Sequence, residues 1–467
     1  MSMNRQRATF IDGATWARRP APRGVPVNRR HLLLAGLGLG PATALAAACS
    51  PSAAGPGSGG VQQKSLSGLV RIWANPNFPF HEDVGGEIAA SFMAQFPDVK
   101  VQSESISGNR TEKLTVAVAG GDAAELVSIE PYHVQGLALR GVVISLEGYL
   151  KQSSAIKRAD IWPTLMRDVT YKGQAYGLVY GPDLRVMYIS VDKYRAAGLD
   201  PNKPPKTWDE LEQAIAKVHR GGRGSDVEHL GFDPFLGSGG VGRWLVPFWQ
   251  VGGELLSPDD QKATINNEKG IQALTWLKKV IDSQGGYQKL LDFEKGTTAN
   301  QLFIDNKVTH YYATYAERAQ EFRLKAPNLE YAFAGYPLPP NGRKANYGGG
   351  HTFPIATGAK APDAAWAFLE HFLAEDNNIR WADRYDRIPV RGSTTRSEKW
   401  QRNDPFRKLA AEEMPGRRFQ IPAPGGIEAQ PLINGMIGDV MLDKKSIRDA
   451  LQDTEARVQA VLDAWKR

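Results

Sequence analysis

Apolar and polar positions settle into a repeating order from Leu69 onward. The segment "LVRIWA" (69–74) has the composition of a strand, and "GEIAASFMAQF" (86–96) has helical spacing that ends at Pro97. "VKVQSES" (99–105) predicts a second strand, "RTEKLTVAVAGG" a helix stopped by Gly120–Gly121, and "ELVSIE" (125–130) a third strand. Strands alternating with helices predict a mostly parallel sheet with helices on both faces. Further on, "TYKGQAYGL" predicts a hairpin turning at Lys172–Gly173, and "RVMYIS" (185–190) a strand with a short helix after it. "KTWDELEQAIAKV" opens with a capping box, Thr207 capping and Glu210 returning the bond, and Trp208 packs that helix onto its lobe. "THYYATYAERAQ" starts as a strand and turns helical near Ala316, which places Tyr315 at a helix N-terminus. No internal repeat interrupts this order.

The first 67 residues follow another pattern. Arginines end in "NRRHLLL" (28–34), a short apolar stretch broken by glycines and Pro41 follows, and small residues lead to Cys49. That is the layout of an export signal rather than a membrane span. Small residues before a Cys resemble a bacterial lipobox, with Ala46 where Leu is usual, and Arg29–Arg30 resemble a twin-arginine signal. Residues 1–48 are therefore expected to be an export signal, and 49–67 a lipid-anchor Cys with a flexible Ser/Gly/Pro tether. Cys49 is the only Cys in the chain, so neither an internal disulfide nor a Cys-rich zinc site can form.

Charge changes meaning once the signal is set aside. The chain carries a formal +7, but residues 1–48 hold seven Arg and one Asp, which leaves about +1 for the remainder. No nucleic-acid footprint remains in that balance. About 400 ordered residues exceed one ordinary core, so two domains are expected.

The stretch 171–211 carries a resemblance. "GQAYGLVY", "MYIS", "RAAGLD" and "PKTWDEL" are similar to the hairpin, strand, short helix and P-x-T-W-x-E of the bacterial extracellular solute-binding proteins of the carbohydrate ABC-transporter type, the maltose-binding-like family. Val179 replaces the family's usual Pro, and Ser190 its usual Asn. "WQVGGELL" (249–256) resembles the family's Gly-Gly turn, and "QLFIDNKVTHYYATYAERAQEF" (301–322) its helix–strand–helix, with Asn306 at the helix stop. "YAFAGYPLPPNG", "GGGHTFPIAT" and "APDAAWAFLEHFLAEDNNIRWADRYDRIPVR" follow in family order.

The resemblance implies a two-lobed, periplasmic-binding-protein-like α/β fold with a hinge of crossing strands and a ligand cleft between the lobes. Residues 68–181 with 333–379 would form the N-terminal lobe, and 182–332 with 380–467 the C-terminal lobe, with crossings near 180–183, 332–336 and 380. The implied function is the substrate-binding subunit of an ABC importer. It would be an extracytoplasmic monomer, lipid-anchored to the membrane through Cys49, that takes a carbohydrate and serves permease subunits without a cofactor, metal or catalytic step. A glycerophosphodiester, met by Arg185 or Arg387, is the alternative ligand, and a secreted glycoside hydrolase the alternative from another class.

A sugar offers apolar ring faces and a rim of hydroxyls, so it needs an aromatic platform and planar polar groups. Open α/β sheets bind ligands at the C-terminal ends of their strands. By that rule the candidates are Trp73, Asn75 and Phe78 after the first strand, Glu130 and Tyr132 after the third, and Tyr180, Asp183 and Arg185 at the first crossing. Trp244 lies near the Gly-rich loop, Tyr312 and Tyr315 follow "VTHYY", and Gly348, Gly349 and His351 precede "TFPIAT", where bare backbone can approach a ligand. Arg384 and Arg387 lie in "ADRYDRIPVR", and Glu428 and Gln430 begin a helix. Glu130 is the first polar choice, since an acid ending an apolar strand needs a partner. Among catalytic motifs, "GSGGVG" (237–242) fits G-x-G-x-x-G by letters only and reads as a loop opening a helix, because Pro234 breaks the strand before it. No Walker, H-E-x-x-H or G-x-S-x-G motif occurs, and Asp259–Asp260 and Glu412–Glu413 read as solvated turns or helix ends.

Overall fold

The computed structural model describes residues 66–78, 80, 83–221, 226–233, 242–419 and 421–466, with the short strands Phe10–Ile11 and Ala14–Trp16. Cys49, nearly all of the export signal and tether, and the loop 237–241 lie outside the described residues.

In the first lobe, Gly68–Ala74 is the middle strand of a parallel sheet between Val99–Ser105 and Leu126–Val127. Val70, Ile72 and Ala74, on one face, are fully buried. The helices Asp83–Gln95 and Pro362–Phe372 pack against this sheet and each other. Asn109 begins the helix Arg110–Ala119 by accepting bonds from the Thr111 and Glu112 amides. The third predicted strand is shorter than 125–130. Leu126–Val127 alone forms a ladder, and Pro131 then opens the 3₁₀ turn Pro131–His133. The hairpin pairs Thr170–Tyr171 with Gln174–Ala175, and Lys172 and Gly173 both take positive φ (46° and 78°), the geometry of a tight hairpin turn.

The second lobe holds Leu230–Asp233, Val308–Thr314, Arg185–Ser190 and Tyr331–Ala334, hydrogen-bonded in that order, with Ala14–Trp16 against the outer edge. Only Leu230–Asp233 and Val308–Thr314 run parallel, so this sheet is mixed and not mostly parallel. The cause is the hinge. A strand that carries the chain out of it and strands that carry the chain back must run in opposite senses. The predicted capping box of Thr207 and Glu210 is present, and Trp208 stacks on Trp276 at 4.1 Å. Asn306 stops its helix at φ 57°. The helices Gly426–Met441 and Ile447–Ala464 pack on each other and on Glu268–Asp282.

Ala334 still pairs with Met187, so the return begins after it, inside the expected 332–336. Glu375–Tyr385 packs on Asp83–Gln95, with Trp381 stacked on Phe80 at 4.5 Å, which moves the last crossing from 380 to beyond Tyr385. Among the described residues no helix is long and apolar enough to cross a membrane.

Candidate functional site

The crossing segments lie side by side. The Asp183 carboxylate accepts the Gly349 amide at 2.5 Å and pairs with Arg387 at 2.9 Å. Asn346, fully buried, accepts the Arg185 amide through Oδ1 and donates Nδ2 to the Arg185 carbonyl. Arg185 reaches the Tyr347 carbonyl at 2.8 Å, and its guanidinium lies 4.1 Å over the Tyr347 ring. Burial opposes ionisation of Asp183, but Arg387, Arg185 and the Gly349 amide hold its carboxyl below the usual range.

From this hinge, contacts lead outward. Arg417 has no exposed side-chain surface. It donates to Asp168 at 2.6 Å and to the Gly349 carbonyl at 2.7 Å. Two residues on, Phe419 meets Tyr347 and Tyr132 at ring distances of 5.6 and 5.3 Å. Across from it stands Trp249, at the end of the helix Gly242–Gln250, with the Arg418 guanidinium 5.9 Å from its ring. The helix ends in the Gly-Gly turn. Gly252 sits at φ 86°, and a Cβ on Gly253 would meet the Phe248 ring at 2.2 Å, so only glycine fits there. Glu254, just past the turn, is clamped by Arg343 and Arg418. Burial raises its carboxyl, but the two guanidiniums outweigh this and hold it below the usual range.

These elements enclose a cavity of about 950 Å³. The helix Pro163–Val169 walls one side with Arg167 and Asp168, and residues 249–258 and 264–269 the other. Arg417, Arg418 and Phe419 reach in from the segment 415–422. Phe419, half-buried, supplies a ring face, Trp249 stands in the wall 2% exposed, and Glu254, Asn267 and Arg418 supply planar acceptors and donors. Each arginine of the lining has a carboxylate partner: Arg167 has Asp260, Arg417 has Asp168, and Arg418 has Glu254. Lys269 donates to the Gly252 carbonyl. Among the described residues no group of three or more His, Cys, Asp or Glu is placed to hold a metal ion.

The predicted residues fall into three sets. The first gathers at the hinge. Gly349 and Arg387 bond Asp183 there, Arg185 bonds Asn346 and Tyr347, the Tyr312 hydroxyl accepts the Tyr347 amide, and His351 packs 5.0 Å from Phe78. Burial, with Arg387 nearby, pushes the His351 imidazole down to about 3. The glycines there admit protein rather than ligand. A Cβ on Gly348 would lie 2.4 Å from the Asp183 carbonyl and 2.7 Å from the Arg417 stem. The second set edges the aromatic wall. Tyr132 faces Phe419, and Glu130 is partly exposed beside Arg110 (3.5 Å) and His133 (3.9 Å).

The third set lies away from the cavity. Tyr315 starts its helix as expected, but its ring is 2% exposed and stacked on Phe406 at 3.5 Å, so the face that was to meet a sugar is covered. Trp244 is fully buried on Phe248 at 4.6 Å, for the same reason that any large ring near an apolar helix buries. Trp73 is half-buried within its strand, Asn75 is buried and its side-chain Oδ1 accepts the Asn77 amide in a turn, and Glu428 is exposed in the first turn of its helix. The sequence reading missed Trp249, Arg417, Arg418, Phe419, Glu254 and Asp168. The signal for one of them was at hand, since "WQVGGELL" puts Trp249 three residues before the glycine turn.

Comparison with known proteins agrees with this architecture. The family model of the bacterial extracellular solute-binding protein matches residues 87–408. A probable ABC transporter-binding protein of Deinococcus radiodurans is 30% identical over 138 residues, covering 28% of this chain and 31% of its own length. The sn-glycerol-3-phosphate-binding periplasmic protein UgpB of Escherichia coli K12 is 24% identical over 31% of this chain and 36% of its own length. These alignments thus span only about a third of each curated relative. Solved structures align much further. CpMnBP1 with mannotriose bound superposes with a TM-score of 0.67 at 25% identity, over 84% of this chain and 99% of that one. The cyclic alpha-maltosyl-1,6-maltose binding protein of Arthrobacter globiformis gives 0.72 at 23% identity, over 85% and 100%. The fold is the two-lobed one of these binding proteins, and the chain belongs to the bacterial extracellular solute-binding protein family.

Proposed function

We propose that this chain is the substrate-binding component of an ABC importer, which holds a carbohydrate in the cavity between its lobes and delivers it to membrane permease subunits. The observation that carries the reading is the cavity's chemistry. Phe419 offers an apolar face, and the lining arginines are matched to carboxylates, with Lys269 on the Gly252 carbonyl. A neutral polyol suits such a lining, because its hydroxyls bond to both members of each pair. A phosphate needs a cluster of uncompensated positive charge, and of the cations in this lining only Lys269 is met by a neutral carbonyl rather than a carboxylate. Arg185 and Arg387, the residues expected to meet one, are buried and engaged with Tyr347 and Asp183. The relatives named for carbohydrate ligands support the same choice. The reading has no catalytic step, in keeping with the binding-protein family to which the chain belongs.

Phe419 tests the site. It lines the cavity and is half-buried, so its removal costs less fold stability than that of a core ring. Phe419→Ala is expected to weaken mannotriose or maltotriose binding by about 1–3 kcal/mol, the worth of a lost apolar contact. Calorimetric titration reads the change, and unaltered affinity in the variant would remove Phe419 from the site.

The lobes are read as 68–181 with 333–379 and 182–332 with 380–467, adjusted at the crossings as described. Cys49 is read as the lipid anchor of a monomeric, extracytoplasmic chain exported through the twin-arginine pathway, with 50–67 as its tether. In the native host, Cys49→Ser is expected to release the mature chain from membranes without altering ligand affinity. Wild-type protein found soluble, with an unmodified Cys49 by mass spectrometry, sinks the anchor.

A further inference from the structure

The cavity has a neighbour. A second one, of about 870 Å³, opens on the far side of the helix Pro163–Val169 and shares Pro163, Arg167 and Pro258 with the first. The junction is spanned by an ion pair. Arg167 reaches Asp260 at 2.8 Å, with side chains 55% and 35% exposed. Arg167 lies on the helix that the first lobe's Leu178–Val179 strand packs against. Asp260 lies at the tip of the 257–262 turn, held at φ 57° with its amide on the Ser257 carbonyl. The pair thus joins the two lobes where the cavities meet.

The second cavity repeats the chemistry of the first. Tyr171 and Met166 give it an apolar face, while Gln135, Arg158 and Gln261 give planar polar groups. Arg158 is matched by Glu147 at 2.7 Å, as the arginines of the first cavity are matched by their acids. Volume separates the ligand classes. The first cavity alone already stands near the top of the roughly 300–1,000 Å³ range that encloses a drug-sized ligand. The two together lie well past it.

We infer that the two cavities are successive subsites of one cleft, that the ligand is an oligosaccharide long enough to occupy both, and that the Arg167–Asp260 pair at the junction sets its length. This rests on the carbohydrate reading above. A short sugar fills the first subsite beneath an intact pair. A longer one crosses the junction and takes over the hydrogen bonds of Arg167 and Asp260. An exposed pair is weak enough to be displaced in this way, being worth about 0–1 kcal/mol.

The test uses two length series, β-1,4-mannooligosaccharides and α-1,4-maltooligosaccharides from monosaccharide to hexasaccharide, with affinity measured by calorimetry. Ala159 is exposed and lines only the second cavity, so Ala159→Trp narrows that cavity without disturbing the core. In one series the wild type should bind the longer members at least tenfold more tightly than the disaccharide. Ala159→Trp should abolish that gain and leave the disaccharide unchanged. Asp260→Asn keeps the side chain's shape, breaks the pair, and should tighten the hexasaccharide by up to about fivefold, with the disaccharide unaffected. Equal affinity at all lengths, or a length gain that survives Ala159→Trp, overturns the inference and leaves the carbohydrate reading standing. An Asp260→Asn effect that is the same for short and long sugars removes the pair from the junction. Absence of binding by every member of both series overturns the carbohydrate reading, and the inference falls with it.

Discussion

Arg417→Met is expected to destabilise the protein by about 3–5 kcal/mol, the cost of leaving one charge of a buried pair without its partner. Arg417 has no exposed surface, and Asp168, which it meets at 2.6 Å, is 6% exposed. Methionine fills much of the arginine's volume but cannot answer the carboxylate or the Gly349 carbonyl. The stem of Arg417 also packs where Gly348 has no side chain, so the substitution disturbs the hinge as well as the cavity. Denaturant unfolding of the single variant reads the loss. The double variant Arg417→Met with Asp168→Leu should recover most of it, because a buried pair replaced by apolar groups of similar volume is often neutral. A single variant within about 1 kcal/mol of wild type would place the pair in water rather than in the interior.

Acid should unfold the protein steeply, beginning near neutrality. Burial pushes His133, His229 and His310 down to about 4, and His351 down to about 3. His310 illustrates the cause. It is fully buried, with Nδ1 on the Gly231 carbonyl at 2.6 Å and Nε2 on the Tyr194 hydroxyl at 2.7 Å, so the neutral ring is satisfied. In the unfolded chain each imidazole titrates at its ordinary value of about 6.5. Between that value and the folded one the unfolded state binds more protons, so stability is full above pH 6.5 and falls as pH drops toward 4. Each ring adds a slope of up to about 1.4 kcal/mol per pH unit. Asp183, depressed by Arg387, continues the loss with the same sign at lower pH, from the ordinary carboxylate value down through its folded one. Melting temperature should not fall between pH 7.5 and 6.5, where Glu294, raised to about 9 by burial, adds stability on acidification, and should fall from 6.5 to 4. A level profile down to pH 5 would mean that these rings titrate as they do in water.

Local chemistry made much of the fold legible. Thr207 with Glu210, Lys172–Gly173 and Asn306 act within a few residues of themselves, and each took the conformation its neighbours dictate. The same holds for the strands at 69–74, 99–105 and 185–190. What failed depends on distant chain. Arg185–Ser190 looks like any strand of an alternating series, and only its passage out of the hinge makes it antiparallel to its neighbours. The site was less legible than the fold. Strand ends did mark Asp183, Arg185 and Gly349, but what meets there is the hinge, bonded to itself. Tyr315 and Trp244 carried the right chemistry in the right neighbourhood, and an aromatic beside a strand end reads the same whether core or cavity covers it. Arg417 and Asp168 are separated by 249 residues, so no pattern along the chain brings them together.

The most direct test of the central claim is a crystal structure of the mature protein grown with whichever saccharide binds it most tightly. The account predicts an intact sugar between the lobes, with a ring against Phe419 and its hydroxyls on Glu254, Asn267 and Arg418. A sugar seated elsewhere on the molecule, or one found with its glycosidic bond cleaved, would contradict it.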